Sequence, residues 1–222
     1  MISVAIDGPA GAGKSTLSRK AAEILGFIYV DTGALYRAVG LKFSRLGFDT
    51  SLDCNIGEIL ADTSVDIRFV SGEQRVFLDG NDVSAEIRTP EASMMASAVS
   101  AKPEVRAFLL DMQRKLAEEN DVLMDGRDIG TVVLPNATVK IFLTATAEDR
   151  ATRRYKELCE KGIETTYEDV LSDMKQRDYN DMNRATAPLK QADDAILADT
   201  TGFEFEESLK LILKIVKEGT KK

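Results

Sequence analysis

Gly8-Pro9-Ala10-Gly11-Ala12-Gly13-Lys14-Ser15-Thr16 fits the pattern G-x-x-x-x-G-K-[ST], a loop whose backbone amides cradle phosphates. Its neighbours supply the setting the pattern needs. Before it, residues 2–7 form a short apolar run ending in Asp7, as a buried strand does. After it, Leu17, Ala21, Ile24 and Leu25 recur at helical spacing up to Gly26. The loop therefore joins a strand to a helix. Its glycines let the amides turn inward, and the helix adds the positive end of its dipole. Lys14 suits the outer phosphates of a nucleoside triphosphate, and the Ser15 hydroxyl suits the Mg2+ that accompanies it.

The composition narrows the chemistry. At 222 residues the chain is long enough for a substantial core, and it is read as one folding unit with inserted subdomains. It has no histidine, which excludes Ser-His-Asp hydrolysis and histidine metal centres. Cys54 and Cys159 show neither metal-ligand spacing nor the density of a disulfide scaffold, so reduced thiols in a cytosol are expected. The absence of an 18-residue apolar run or a leader pattern points to a soluble, unexported protein. With 29 basic and 37 acidic residues the net charge is -8, which argues against broad binding to nucleic acid or membrane surfaces. Arginines that cluster in such an acidic chain suit small anions held in pockets, although single ones also suit solvated helix faces.

Further along, residues 27–30 read as a second buried strand, with Thr32 expected to cap the helix that follows and Tyr36 and Arg37 one turn on. Val65, Ile67 and Phe69 alternate with Asp66 and Arg68. A turn at Ser71-Gly72-Glu73 and a second apolar run then end at Asp79-Gly80-Asn81. This is a small antiparallel sheet with one exposed face, inserted into an α/β chain. Arg88 closes the insert as a candidate anion contact. Pro103 opens a helix with Val105, Phe108, Leu109, Met112 and Leu116 on one stripe and Arg106 off it.

Residues 121–131 are the second informative stretch. An apolar strand ending in Asp125 is where such a fold places the carboxylate that orients Mg2+ and its water, since ligands gather at the C-terminal ends of parallel strands. Arg127 and Asp128 lie just beyond, Arg127 as a phosphoryl ligand and Asp128 as an acceptor for a base or sugar donor or as the group that orients Arg127, or else the two form a surface ion pair at an Asp-Gly turn. Residues 138–143 form another core strand, and Arg150, Arg153 and Arg154 then share one helix face. On a later helix Arg177, Asp181 and Arg184 project together; a salt bridge explains the first two and leaves Arg184 for an anion. Residues 195–199 make the last strand, and Phe205, Leu209, Ile212, Leu213 and Val216 a closing amphipathic helix. Residues 217–222 read as a frayed basic tail.

Five strands alternating with helices imply a parallel sheet with right-handed crossovers, interrupted at about 32–100 and 151–188 by polar segments able to close over substrates. A hydroxyl acceptor needs a carboxylate base, whereas an ionised phosphate acceptor needs charge neutralisation. The arginine count favours the phosphate, and Asp128 keeps the hydroxyl in play as a base.

The motifs IDGPAGAGKST, DTGALYR, VSAEIRT, DGRDIGT and RDYNDMNR, the last followed by Ala185-Thr186-Ala187-Pro188-Leu189, closely resemble those of bacterial cytidylate kinases in the nucleoside monophosphate kinase group. The resemblance runs over nearly the whole chain. It implies an α/β P-loop three-layer sandwich with a five-stranded parallel core sheet, a small antiparallel sheet in the monophosphate-binding region, and a helical lid. The core would be 1–31, 101–150 and 189–222, the insert 32–100 and the lid 151–188. Phosphorylation of CMP and dCMP by ATP with Mg2+ is implied, in the cytoplasm and by a monomer. By matching motif, Gly8, Pro9, Ala10, Gly11, Ala12, Gly13, Lys14, Ser15 and Thr16 would hold ATP, and Ser15 and Asp125, in part through water, the metal. Thr32, Tyr36, Arg37, Arg106, Arg127, Asp128, Arg177, Asp181 and Arg184 would hold the acceptor. Lys14, Arg127, Arg153, Arg154 and Arg184 would serve the transferring phosphoryl group. Thr32 replaces the serine frequent in the family and keeps its hydroxyl, while Tyr179, Asn180 and Met182 stand where the family is often more basic. Two rivals are a small-metabolite kinase such as shikimate kinase, which would use a carboxylate base, and a GTP switch protein, whose Asn-Lys-x-Asp motif the chain lacks.

Overall fold

Ser3 to Asp7 carries its apolar residues consecutively rather than alternately, so both faces of this strand must be covered, and Val4, Ala5 and Ile6 are fully buried. The computed structural model describes residues 1–47, 56–70 and 73–221. In chain order its elements are β1 (Ser3–Asp7), α1 (Lys14–Leu25), β2 (Ile28–Asp31), α2 (Thr32–Arg45), α3 (Ile56–Ala61), β3 (Val65–Val70), β4 (Glu73–Leu78), β5 (Asn81–Asp82), α4 (Pro90–Ser100), α5 (Pro103–Glu119), β6 (Val122–Gly126), β7 (Val139–Thr144), α6 (Ala147–Glu160), α7 (Tyr167–Asn183), β8 (Ile196–Asp199) and α8 (Phe205–Gly219). Cys54, Lys222 and the turn expected at Ser71 and Gly72 lie outside the described residues.

The main sheet has five strands in the order β2-β6-β1-β7-β8. β1 pairs in parallel with β6 on one side and β7 on the other, and β7 in turn with β8. Placing β1 in the middle brings the ends of β1 and β6 side by side, with Asp7 opposite Gly126 and Ile6 opposite Asp125. The chain divides into two compact units, Met1–Tyr29 with Asn120–Lys222, and Val30–Glu119.

In the first unit Leu17, Ala21 and Ala22 of α1 and Leu209, Ile212 and Val216 of α8 share one core with Val4, Ile6, Leu123, Ile141 and Leu143 of the sheet. Ile24 and Phe205, expected on the apolar stripes, are half-exposed. Each sits at a helix end, where the stripe has passed the edge of the sheet. β8 is one of the two edge strands, and Ile196 and Leu197 also remain exposed while Ala198 is buried. The closing helix runs to Gly219, so Lys217 is helical and the frayed tail is shorter than expected. Its start is fixed by a capping box between Glu204 and Glu207. Helices α6 and α7 have a small core of their own, Ala151, Leu158, Val170 and Met174, with Tyr155 and Tyr167 edge to face.

In the second unit, β3, β4 and β5 form the expected antiparallel sheet, and β3 alternates half-buried and exposed residues along its whole length. Two clusters support it. Val76, Leu78, Val83 and Ile87 pack with Ala34 and Ala38 of α2. Leu35, Val39 and Phe43 of α2 pack with Val99, Val105 and Leu109. The second cluster includes Val105 and Leu109 of α5, and this compact unit runs from Val30 to Glu119.

Candidate active site

The loop between β1 and α1 needs its glycines for two distinct reasons. Gly13 caps α1 with φ 81° and offers no side chain to the helix amides, leaving them pointed at whatever the loop encloses. Gly8 lies where a Cβ would fall 1.9 Å from the Leu143 carbonyl oxygen of β7. Gly8→Ala therefore forces the loop off the sheet. An expected loss of about 2 kcal/mol in urea unfolding, together with weakened nucleotide binding, checks this. An unchanged midpoint contradicts it.

Lys14 is the first residue of α1 and is buried; its Nζ donates to the Pro9 carbonyl at 2.8 Å. Burial and the nearby Arg127 guanidinium push its pKa well below the usual lysine range, opposed by Asp125, Asp181 and Asp7. A polyphosphate beside it would restore the charged form. Ser15 Oγ donates to Asp125 Oδ2 at 2.9 Å, and Tyr29 Oη donates to Asp125 Oδ1 at 2.8 Å. A hydroxyl and a carboxylate oxygen thus stand side by side at the loop, a donor set that fits Mg2+, which takes few protein oxygens and completes its shell with phosphate and water. No group of three or more acidic, cysteine or histidine residues suited to a metal occurs among the described residues, consistent with so sparse a set.

Past β6 the chain makes one wide helical turn, Ile129–Val133, in which Val133 N bonds to Asp128 O at 3.2 Å and Leu134 N to Ile129 O at 2.7 Å. Such five-residue turns are rare and recur at functional sites. Asp7 holds this one. Its Oδ1 and Oδ2 accept from the amides of Ile129 and Gly130, each at 2.7 Å. Burial pushes its pKa up to about 6 from 3.8 against those two hydrogen bonds. In the sequence Asp7 is recognisable only as a strand end, a carboxylate closing a buried apolar run.

Because the folded pKa of Asp7 lies above the ordinary value, the stability tied to its proton is complete below pH 3.8 and is lost as pH rises through about 6. The unfolding free energy of the parent relative to Asp7→Asn should therefore be greater at pH 5 than at pH 7, by about 1 kcal/mol in the absence of nucleotide and metal. Urea unfolding at the two pH values measures it, and the opposite trend contradicts the placement.

Arg127 and Asp128 lead into this turn and meet the end of α7. Arg127 Nε donates to Asp181 Oδ2 at 2.8 Å, and Arg184 Nη2 lies 3.4 Å from Asp128 Oδ1 while its Nε donates to the Ala187 carbonyl at 2.8 Å. Asp128 and Asp181 are both buried. Burial would raise the Asp181 pKa, but Arg127, Arg177 and Arg184 together hold it below the usual carboxylate range. Ala187 takes a left-handed φ of 48°, uncommon for alanine, in the segment that receives Arg184. In this way Lys14, Ser15, Asp125, Arg127, Asp128, Arg177, Asp181 and Arg184 form one charged cluster within the first unit.

The three arginines that share a face of α6 diverge. Arg150 is buried and ties α6 to the loop through Ala10 O at 2.7 Å, to the end of β7 through Ala145 O at 2.9 Å and to α7 through Asp178 Oδ2 at 2.7 Å. Arg153 donates to the Thr200 carbonyl at 2.8 Å and pairs with Asp149 at 2.6 Å. Arg154 pairs with Glu157 at 2.8 Å on the surface. Neither of the last two contacts the loop through these bonds.

In the second unit the helix cap falls on Asp31, not Thr32. The Asp31 carboxylate precedes α2 in an extended conformation and accepts from Ala34 N at 3.0 Å, while Thr32 is already the first helical residue. Burial works to raise the Asp31 pKa, yet Arg37 and Arg88 beside it hold it below the usual range. Arg106 is buried, donates to the Ser100 carbonyl at 3.1 Å and lies 5.4 Å over the Tyr36 ring. Thr32 is buried at the head of the same helix as Tyr36 and Arg37.

Residues 4–218 match the family model described as cytidylate kinase. A cytidylate kinase of Caldicellulosiruptor bescii is 54% identical over 214 residues, 96% of this chain and 95% of its own length. One from Caldanaerobacter subterraneus subsp. tengcongensis is 50% identical over 220 residues, 99% and 96% of the two chains. Among solved structures, a gluconokinase from Sinorhizobium meliloti 1021 has a TM-score of 0.51 at 12% identity, with 98% of this chain and 92% of that one covered. An uncharacterized protein from Eubacterium ventriosum has a TM-score of 0.54, also at 12% identity, covering 98% of this chain and 99% of that one. At that identity the likeness is one of fold.

Proposed function

The chain belongs to the cytidylate kinase family, and from that premise we propose that it transfers the γ-phosphoryl group of ATP, with Mg2+, to the 5′-phosphate of CMP or dCMP. A phosphate oxygen of the acceptor forms the new bond to the γ-phosphorus, the bond to the β-phosphate oxygen breaks, and CDP or dCDP and ADP leave. One observation carries the choice of a phosphate acceptor. Each carboxylate of the cluster is already engaged, Asp125 by Ser15 and Tyr29, Asp181 by Arg127 and Asp128 by Arg184, and neighbouring Asp7 is held by two amides. A hydroxyl acceptor would want one of them as a base; a phosphate wants the arginines.

In this reading Gly8 to Thr16 hold the donor phosphates, Lys14 neutralises charge on the transferring group, and Ser15 and Asp125 hold the metal, Asp125 in part through water. The metal supplies further charge neutralisation at the phosphates. Thr32, Tyr36, Arg37, Arg106, Arg127, Asp128, Arg177, Asp181 and Arg184 hold the acceptor. Arg153 and Arg154 join the transferring group once their side chains leave their present partners, with α6 still anchored by Arg150. Their present ion pairs are partly exposed, and such pairs are worth about 0–1 kcal/mol, so little is lost when they break. The regions 32–100 and 151–188 act as acceptor-binding insert and lid on a core of 1–31, 101–150 and 189–222.

We place the enzyme in the cytoplasm as a monomer acting on small nucleotides rather than nucleic acid. In support, no helix among the described residues is long and apolar enough to cross a membrane, and the net charge is -8. Asp128→Ala tests the acceptor assignment. The KM for CMP should rise about 10- to 100-fold with little change in the KM for ATP, because a charged hydrogen-bonding group is removed from the acceptor side alone. A rise confined to ATP would contradict it.

A further inference from the structure

Asp31 is buried, and one of its oxygens serves two arginines at once. Asp31 Oδ2 accepts from Arg37 Nη2 at 2.9 Å and from Arg88 Nη1 at 3.0 Å, while Oδ1 accepts from Ala34 N at 3.0 Å. One carboxylate cannot neutralise two guanidinium groups, so the trio carries a surplus positive charge. Nothing else in the turn that bears Arg88 offsets it. Glu86, the acidic residue two positions earlier, is paired with Arg45 at 2.8 Å.

The geometry is fixed from both sides. Arg37 rises from α2. Arg88 ends the short helical turn Glu86–Arg88, which is pinned by fully buried Ile87 in the cluster that contains Ala34 and Ala38 of α2. Gln74 holds the Asp31 backbone, its Oε1 accepting from Asp31 N at 2.8 Å and its Nε2 donating to Asp31 O at 3.3 Å. The Arg37 side chain is 16% exposed and that of Arg88 45% exposed, so Arg88 has donors to spare outside the pair. Arg37 Nε, moreover, is buried without a hydrogen-bond partner. Two forked donors held a few ångströms apart with a net positive charge match the oxygens of a dianionic phosphate monoester.

We propose that Arg88 is a second ligand of the acceptor's phosphate, acting with Arg37 across the Asp31 carboxylate. This rests on the reading above that Arg37 holds the acceptor. Asp31 is then a positioning residue for both arginines. Its charge offsets one guanidinium and leaves the other's to the phosphate.

Calorimetric titration of CMP and of cytidine, which lacks the phosphate, against Arg88→Ala, Arg88→Gln and Arg37→Ala tests the proposal. Arg88→Ala should weaken CMP binding roughly 10- to 100-fold and leave cytidine binding within about twofold, as loss of a charge-assisted phosphate contact requires. Arg88→Gln keeps a hydrogen bond to Asp31 without the charge, and should show the same selective loss even if the alanine variant folds poorly. The KM for ATP should not move in either. CMP affinity unchanged in the Arg88 variants but reduced in Arg37→Ala overturns the proposal and leaves the acceptor reading standing. Equal losses for CMP and cytidine also overturn it, since they mark a structural role. No effect of Arg37→Ala or of the Arg88 variants defeats the Arg37 reading and the proposal together.

Discussion

Lys14→Ala lowers kcat about 10³-fold while the protein remains folded. The lysine ammonium is the cation placed at the base of the phosphate loop, and removing one preorganised charge from a transition state costs on the order of 3–4 kcal/mol. The fold does not depend on that charge. Burial and Arg127 already work against it, pushing the Lys14 pKa well down, so its loss removes an unfavourable term from the protein without nucleotide. Steady-state ADP formation and thermal unfolding, measured on the same preparation, check both halves. Turnover near that of the parent would overturn the loop assignment.

The second large effect belongs to Arg127→Ala, which should lower kcat/KM by 10³-fold or more and also destabilise the fold by about 3 kcal/mol. The two losses have different origins. The rate loss follows from removing a guanidinium beside Lys14 at the strand ends. The stability loss follows from Asp181, buried and bonded to Arg127 Nε at 2.8 Å, which would keep its burial penalty and lose its main compensation. Adding Asp181→Asn should therefore recover most of the stability and none of the rate. Urea unfolding and kinetics on the single and double variants separate the effects; joint recovery of both would show that Arg127 acts only by holding Asp181.

What could be read from the chain, and what could not, follows from sequence separation. The phosphate loop was legible because its strand, glycines, lysine and helix are contiguous, as was the antiparallel insert from the alternation in Val65–Val70. The motif Arg127-Asp128 was legible as chemistry, but its partners were not. Arg127 meets Asp181 across 54 residues, Asp7 meets Ile129 across 122, and Arg150 meets Ala10 across 140. No local pattern encodes such pairings: Asp7 meets Ile129 because β6 pairs with β1 on one side, Arg150 meets Ala10 because β7, which leads into α6, pairs with β1 on the other, and Asp181 reaches Arg127 from α7. Asp31 was missed as the cap of α2 for a different reason. Asp31 and Thr32 are both good capping residues, and only the backbone conformation decides between them. Arg150, Arg153 and Arg154 share a helix face in sequence, yet their partners divide them into an anchor and two residues with weak, exposed pairs. The short helix Ile56–Ala61 and the wide turn at Ile129–Val133 gave no periodic signal long enough to notice.

The central claim is that the arginine-bound carboxylates serve a phosphate acceptor rather than act as a base for a hydroxyl. ADP formation from Mg-ATP, with CMP, dCMP, UMP, AMP, GMP and shikimate offered separately, tests it most directly. Rapid turnover with CMP and dCMP and little with the others is the predicted result. Turnover with shikimate, or with no acceptor despite nucleotide binding, would contradict it and return the arginine clusters to the role of surface charge.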